Sequence, residues 1–157
     1  MRRFLLCIGV LLMTLGCVHA QNSVPRPADV PPSAPLTGDG PHVVRLKNGL
    51  TVLVKRDDRF PLANVRLYVR TGSAYENPAQ AGISHLLEHM VFKGTEKLGP
   101  GEAAKRIESA GGDMNAATSF DYTVYYVEVP DKDWSLGLDT ITDMALHARI
   151  DPKELAS

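Results

Sequence analysis

The sequence predicts an α+β fold: a mainly antiparallel sheet with helices packed on one face. Three observations carry this. Strand-like segments with alternating apolar and polar residues fall into two groups, one before residue 71 and one after residue 112. Helical patterns lie between and after these groups instead of alternating with them strand by strand, which suits segregated layers better than a parallel doubly wound sheet. Glycine, asparagine and proline stand at the breaks.

The elements follow in order from His42. "VVRL" and "LTVLVK" flank Lys47-Asn48-Gly49, and Asn-Gly between β-rich runs signals a hairpin. "ANVRLYVR" sets Val65, Leu67 and Val69 on one face and Arg66, Tyr68 and Arg70 on the other. A helix should start between Asn77 and Gly82, with Asn77-Pro78 as cap and first position. A second helix reads from Gly101 to Ala110, stopped by Gly111-Gly112. "DMNAATS" and "YTVYYVEVP" read as strands joined near Phe120-Asp121. A third helix is expected from Asp133 to Arg149, burying Trp134, Leu138, Ile141, Ala145 and Leu146. Asp151-Pro152 opens a fourth.

The chain has 157 residues, 44% hydrophobic and 22% charged, the composition of one globular domain or part of a larger one. A formal charge of −1 gives no basic surface for nucleic acid. Residues 1–20, "MRRFLLCIGVLLMTLGCVHA", combine two arginines, a short apolar run and a Val-His-Ala end. That is the pattern of a secretory signal peptide, and the run is shorter than the ~20 residues of a membrane span. Cleavage is expected after Ala20, with export to a bacterial periplasm. The alternative is cleavage before Cys17 and a lipid anchor on it. Both cysteines, Cys7 and Cys17, lie in this region, so no thiolate nucleophile or zinc ligand remains beyond it. Residues 21–41 are proline-dense and read as a linker. Residues 42–157 form the domain.

The chemistry-bearing stretch is "ISHLLEHMVF", residues 83–92. On a wheel at about 100° per residue, Ile83, Leu86, Leu87, Met90 and Val91 form one apolar face. This face is expected to anchor the helix, with His85, Glu88 and His89 together on the opposite side. Two histidines at i and i+4 can reach one zinc ion, and a catalytic zinc needs a general base beside its water. Glu88 fits that role, and His-x-x-Glu-His is the inverted zinc-peptidase order. A solvated polar face is the alternative reading of the same spacing. His42 and His147 read as surface residues. "KGTEKLGPGE" reads as a connection, since it lacks the spacing of a phosphate loop.

With its flanks, "GISHLLEHMVFKGT" resembles the signature of the pitrilysin/insulinase family of zinc metallopeptidases, which includes the mitochondrial processing peptidase. "LKNGLTVLV", "VRTGSAYENPAQAGISH" and "AAKRIESAGGDMNAATSFDYTVYYVEVP" are similar to the family's segments around it. The resemblance covers residues 42–157. It implies a sandwich of the pitrilysin and mitochondrial processing peptidase type, with Zn2+ held by His85 and His89 and Glu88 as general base. It also implies that Asn115, Ala116, Ala117 and Thr118 lie on an edge strand that takes peptide as an added strand. The family's third ligand is a Glu on a later helix, beyond Ser157, and Glu154 is not at its position. The chain is therefore expected to be the N-terminal part of a longer metalloendopeptidase, incomplete at its C-terminus and inactive alone. Pairing with a second family subunit is a further implication. Two rivals stay open: a non-catalytic partner subunit, and a zinc enzyme of other chemistry on a related fold.

Overall fold

The computed structural model describes residues 6–10 and 40–155. Among these residues six strands form one sheet: β1 (Leu6–Val10), β2 (His42–Arg45), β3 (Thr51–Arg56), β4 (Leu62–Val69), β5 (Asp113–Thr118) and β6 (Thr123–Pro130), in the order β2-β3-β1-β4-β6-β5. All pairings are antiparallel except β1 with β4. Among the described residues four α-helices accompany the sheet: α1 (Ile83–Val91), α2 (Glu102–Ser109), α3 (Trp134–His147) and α4 (Pro152–Leu155). None of the described helices is long and apolar enough to cross a membrane.

The expected architecture holds, with one addition to the sheet. Leu6–Val10 lies inside the segment read as a leader, yet it pairs on both sides, with β3 and with β4. An apolar five-residue run, "LCIGV", suits an interior strand as well as it suits a leader. The rest of the leader reading, and nearly all of the linker reading, lie outside the described residues.

The β2–β3 hairpin turns at Lys47-Asn48-Gly49, closed by Leu46 N–H to Leu50 O at 2.7 Å and Gly49 N–H to Leu46 O at 3.0 Å. The β5–β6 hairpin turns at Phe120-Asp121, where the Ser119 amide donates to Tyr122 O at 2.8 Å. Its register sets Thr118 opposite Thr123 and Ala116 opposite Tyr125. On β4, Ala63 and Val65 are buried and pair with Val129 and Val127 of β6. These residues, with Ile107 of α2 and with Ile141 and Met144 of α3, make one core on the helix-covered face. The second helix ends as expected. Gly111, at φ 79°, allows the bonds Gly111 N–H to Glu108 O (2.9 Å) and Gly112 N–H to Ile107 O (3.0 Å), a Schellman closure.

Two expectations about helices are corrected. Asn77 caps a short 3-10 turn, Pro78–Gln80, through Ala79 N–H at 3.0 Å, and the α-helix begins only at Ile83. On α3 the buried residues are Gly137, Thr140, Ile141 and Met144. Of the stripe expected there, Trp134 and Leu146 are exposed, and Leu138 and Ala145 are half-buried. The helix is turned so that Gly137 meets Val127, Val129 and Val65. Close approach of its backbone to the sheet outweighs burial of the larger apolar residues. The fourth helix starts as read, with Asp151 Oδ1 accepting from Lys153 N–H at 2.9 Å.

Candidate metal centre

The α1 helix lies against β5 and against the 3-10 turn Ser73–Tyr75. Its N-terminus is held by an acid outside the helix. The Glu76 carboxylate accepts from the amides of Gly82 (2.6 Å) and Ser84 (2.8 Å), which lack intrahelical partners. These backbone bonds hold the Glu76 carboxyl below its ordinary range. The acid is also well placed for the positive end of the helix dipole. Glu76 precedes the bonded amides by six and eight residues, so no local capping pattern announces it.

Only part of the apolar face expected on α1 packs, and Glu88 packs with it. Ser84, Glu88, Met90 and Val91 are buried, whereas Ile83, Leu86 and Leu87 are 51%, 48% and 47% exposed. The stripe is thus split: Met90 and Val91 pack inward, whereas Ile83, Leu86 and Leu87 in the N-terminal half of the helix lie open. The three polar groups consequently divide. His85 and His89 are exposed, while Glu88 is 8% exposed and turned toward β5.

They still converge. His85 Nε2 and His89 Nε2 are 3.1 Å apart, and one ligand atom from each of His85, Glu88 and His89 falls within a 4.8 Å group. Two nitrogens bound to one zinc at ~2.0–2.1 Å in tetrahedral arrangement stand about 3.3 Å apart. The histidine pair fits that spacing. Imidazole nitrogens are donors that suit zinc, and the Glu88 carboxylate stands beside them.

Glu88 is not left unpaired in its buried setting. Thr118 Oγ1 donates to Glu88 Oε2 at 2.5 Å. Behind it, Thr123 Oγ1 lies 3.4 Å from Thr118 Oγ1 and donates to the Thr71 carbonyl at 3.1 Å. Tyr125 lies nearby; burial first, and the Glu88 charge second, push its phenol up to about 12.

The strand residues expected to meet substrate lie on β5, which is the sheet's edge. Thr118 and Ala116 are half-buried and Asn115 and Ala117 are exposed, as alternation along a strand requires. Asn115 Oδ1 accepts from the Ala116 amide at 2.8 Å. Thr118 thus reaches Glu88, a contact the sequence reading did not assign to it. Once the β5–β6 turn is placed at Phe120-Asp121, the pairing of Thr118 with Thr123 follows, but the reach to Glu88 does not.

A second polar group ties the loop after α1 to α3. Thr95, 1% exposed, donates from Oγ1 to Asp143 Oδ2 at 2.6 Å and accepts from the amides of Lys97 and Leu98 at 3.1 Å. His147, read as a surface residue, is exposed and meets Asp143 Oδ1 at 3.1 Å. Glu154 pairs with Lys93 at 3.4 Å.

Comparison with known proteins adds a family to this geometry. The insulinase family (peptidase family M16) matches residues 51–157. An uncharacterized zinc protease of Bacillus subtilis, YmxG, is 38% identical over 109 residues, 69% of this chain and 27% of its own. The β subunit of the mitochondrial-processing peptidase of Blastocladiella emersonii is 36% identical over 121 residues, 77% of this chain and 26% of its own. The crystal structure of a protease from Helicobacter pylori superposes with a TM-score of 0.70 at 32% identity, covering 74% of this chain and 28% of that one. The chain thus spans little more than a quarter of the length of these relatives.

Proposed function

The chain belongs to the insulinase family of peptidases (M16), and from that premise we propose that it is the N-terminal part of a zinc-dependent metalloendopeptidase. The observation that carries the reading is the 3.1 Å spacing of His85 Nε2 and His89 Nε2, beside a buried carboxylate. His85 and His89 would hold Zn2+, with a third ligand supplied by the remainder of the parent protein. When bound, zinc supplies Lewis acidity toward a carbonyl and toward water. Glu88 is the general base. Its Oε2 is engaged by Thr118, so Oε1 is the atom that takes a proton from the attacking water and returns it to the leaving amine nitrogen. The free edge of β5, at Asn115 to Thr118, would take an extended peptide as an added strand, which places backbone carbonyls beside Glu88.

The substrates proposed are peptides and unfolded segments, since strand addition needs an extended backbone. Export to the periplasm, or a lipid anchor at Cys17, is proposed from the leader pattern of residues 1–20, and cleavage of that leader would take Leu6–Val10 out of the sheet, leaving β3 and β4 without it. Pairing with a second family subunit is proposed from the similarity to a processing-peptidase subunit.

The test compares the full-length protein with its Glu88→Gln variant. The native enzyme should cleave an unfolded peptide and lose that activity to a chelator. The variant should lose proteolysis by a factor of at least ~10². Proteolysis that survives the substitution removes Glu88 from the role of base.

A further inference from the structure

We propose that Thr118 is a positioning residue that fixes the general base to the same strand that receives the substrate; this rests on the reading of Glu88 as the base. The Thr118 hydroxyl carries one proton, and it is directed to Glu88 Oε2 at 2.5 Å. Among the described residues no other hydrogen bond reaches the Glu88 carboxylate, so this contact is its one directional restraint beyond packing. The donor is itself fixed. Thr118 is β-branched on a strand, which restricts χ1. It is paired with Thr123, whose hydroxyl lies 3.4 Å away and is anchored on the Thr71 carbonyl at 3.1 Å. Thr118 of β5, backed by Thr123 of β6 whose hydroxyl is anchored on the Thr71 carbonyl beyond β4, thus holds one carboxylate oxygen.

The arrangement has a consequence for catalysis. The α1 helix brings Glu88 to β5, but a helix can shift along a strand by fractions of an ångström. A peptide added to the edge of β5 takes its register from that strand. The Thr118 contact gives Glu88 the same reference, so the proton-accepting Oε1 is held at a constant height relative to the bond to be cleaved. Positioning of this kind acts on the transition state more than on peptide binding, because the peptide's own contacts are to the backbone.

The experiment uses the full-length enzyme with Thr118→Val, which keeps shape and removes the donor, and Thr118→Ser, which keeps the donor. Zinc affinity, KM and kcat are measured for each, alone and with Glu88→Gln. The expected result for Thr118→Val is a loss in kcat of about 10- to 100-fold, as for removal of a hydrogen bond to a charged group. KM and zinc affinity should stay within about twofold. Thr118→Ser should recover kcat to within about threefold, and Thr118→Val should cost nothing further once Glu88 is Gln. In crystals of the metal-free Thr118→Val protein the Glu88 carboxylate should leave its place beside β5. Should the Val variant fail to fold, Thr118→Ala carries the same expectations. A kcat within threefold of native for Val, or a Ser variant as impaired as Val, overturns the proposal, as does zinc loss in Val. Survival of proteolysis in Glu88→Gln would instead sink the assignment of the base, a separate outcome.

Discussion

Gly137 is the point at which α3 rests on the sheet, and replacing it with alanine sets two opposed effects against each other. In an open helix the change stabilises, by ~0.8–1.0 kcal/mol of helix propensity. Here a Cβ would stand 3.1 Å from Val127 Cγ1, 3.3 Å from Val129 Cγ2 and 3.7 Å from Val65 Cγ2. Ordinary carbon contacts lie at ~3.5–4.0 Å. The neighbours have little room to yield. Val127 and Val129 are 0% exposed, Val65 is 1% exposed, and all three are β-branched residues of interior strands. Overpacking of a filled core costs ~1–3 kcal/mol, and two tight contacts on one methyl group place this case in the upper part of that range. The net expectation is destabilisation of α3 by about 1–2 kcal/mol. Hydrogen exchange on the full-length protein should show amides of α3 and β6 exchanging roughly 5- to 30-fold faster in Gly137→Ala. Unchanged or slower exchange would show that α3 can lift from the sheet without cost, and the close approach would then not explain its rotation.

Two further outcomes are expected. Glu76→Ala removes the acceptor for the Gly82 and Ser84 amides, so the start of α1 should fray and zinc affinity should fall; calorimetric titration with zinc checks this, and Glu76→Asp should restore little because its shorter side chain does not span both amides. Asp143 is held below the ordinary carboxylate range, first by the Thr95 hydroxyl and then by Lys97 and His147. Its folded-state pKa is depressed, so its contribution is full above the unfolded value near 3.8 and is lost as pH falls through the folded value. Unfolding followed from pH 6 downward should therefore show a smaller acid-side loss of stability in Asp143→Asn, which starts less stable at pH 6.

Much of the scaffold could be read from local chemistry. Asn48-Gly49, the alternation of Val65, Leu67 and Val69, and Gly111 after α2 are signals contained within a few residues. So are Asp151 before α4 and the histidine pair one helical turn apart. What escaped depends on contacts between distant segments. The wheel for α1 groups Ile83, Leu86 and Leu87 correctly, but it cannot say which side meets β5. Glu88 is buried because a threonine thirty residues on supplies its hydrogen bond. Hydropathy ranks a carboxylate as exposed and an isoleucine as buried, and here the paired carboxylate is inside while Ile83 is half open. On α3 the same weakness appears in another form: hydropathy favours Trp134 and Leu146, and the steric fit of Gly137 decides. The Leu6–Val10 strand shows that an apolar run with leader character can also complete a sheet.

The central claim is that His85 and His89 hold zinc while Glu88 serves beside it without being a ligand. Zinc titration of the full-length protein and of its His85→Ala, His89→Ala and Glu88→Gln variants tests this directly. One zinc per chain is expected in the native protein, with affinity lowered by at least ~100-fold in either histidine variant and within a few-fold of native in Glu88→Gln. Undiminished affinity in His85→Ala or His89→Ala, or loss of zinc from Glu88→Gln comparable to that of the histidine variants, would contradict it.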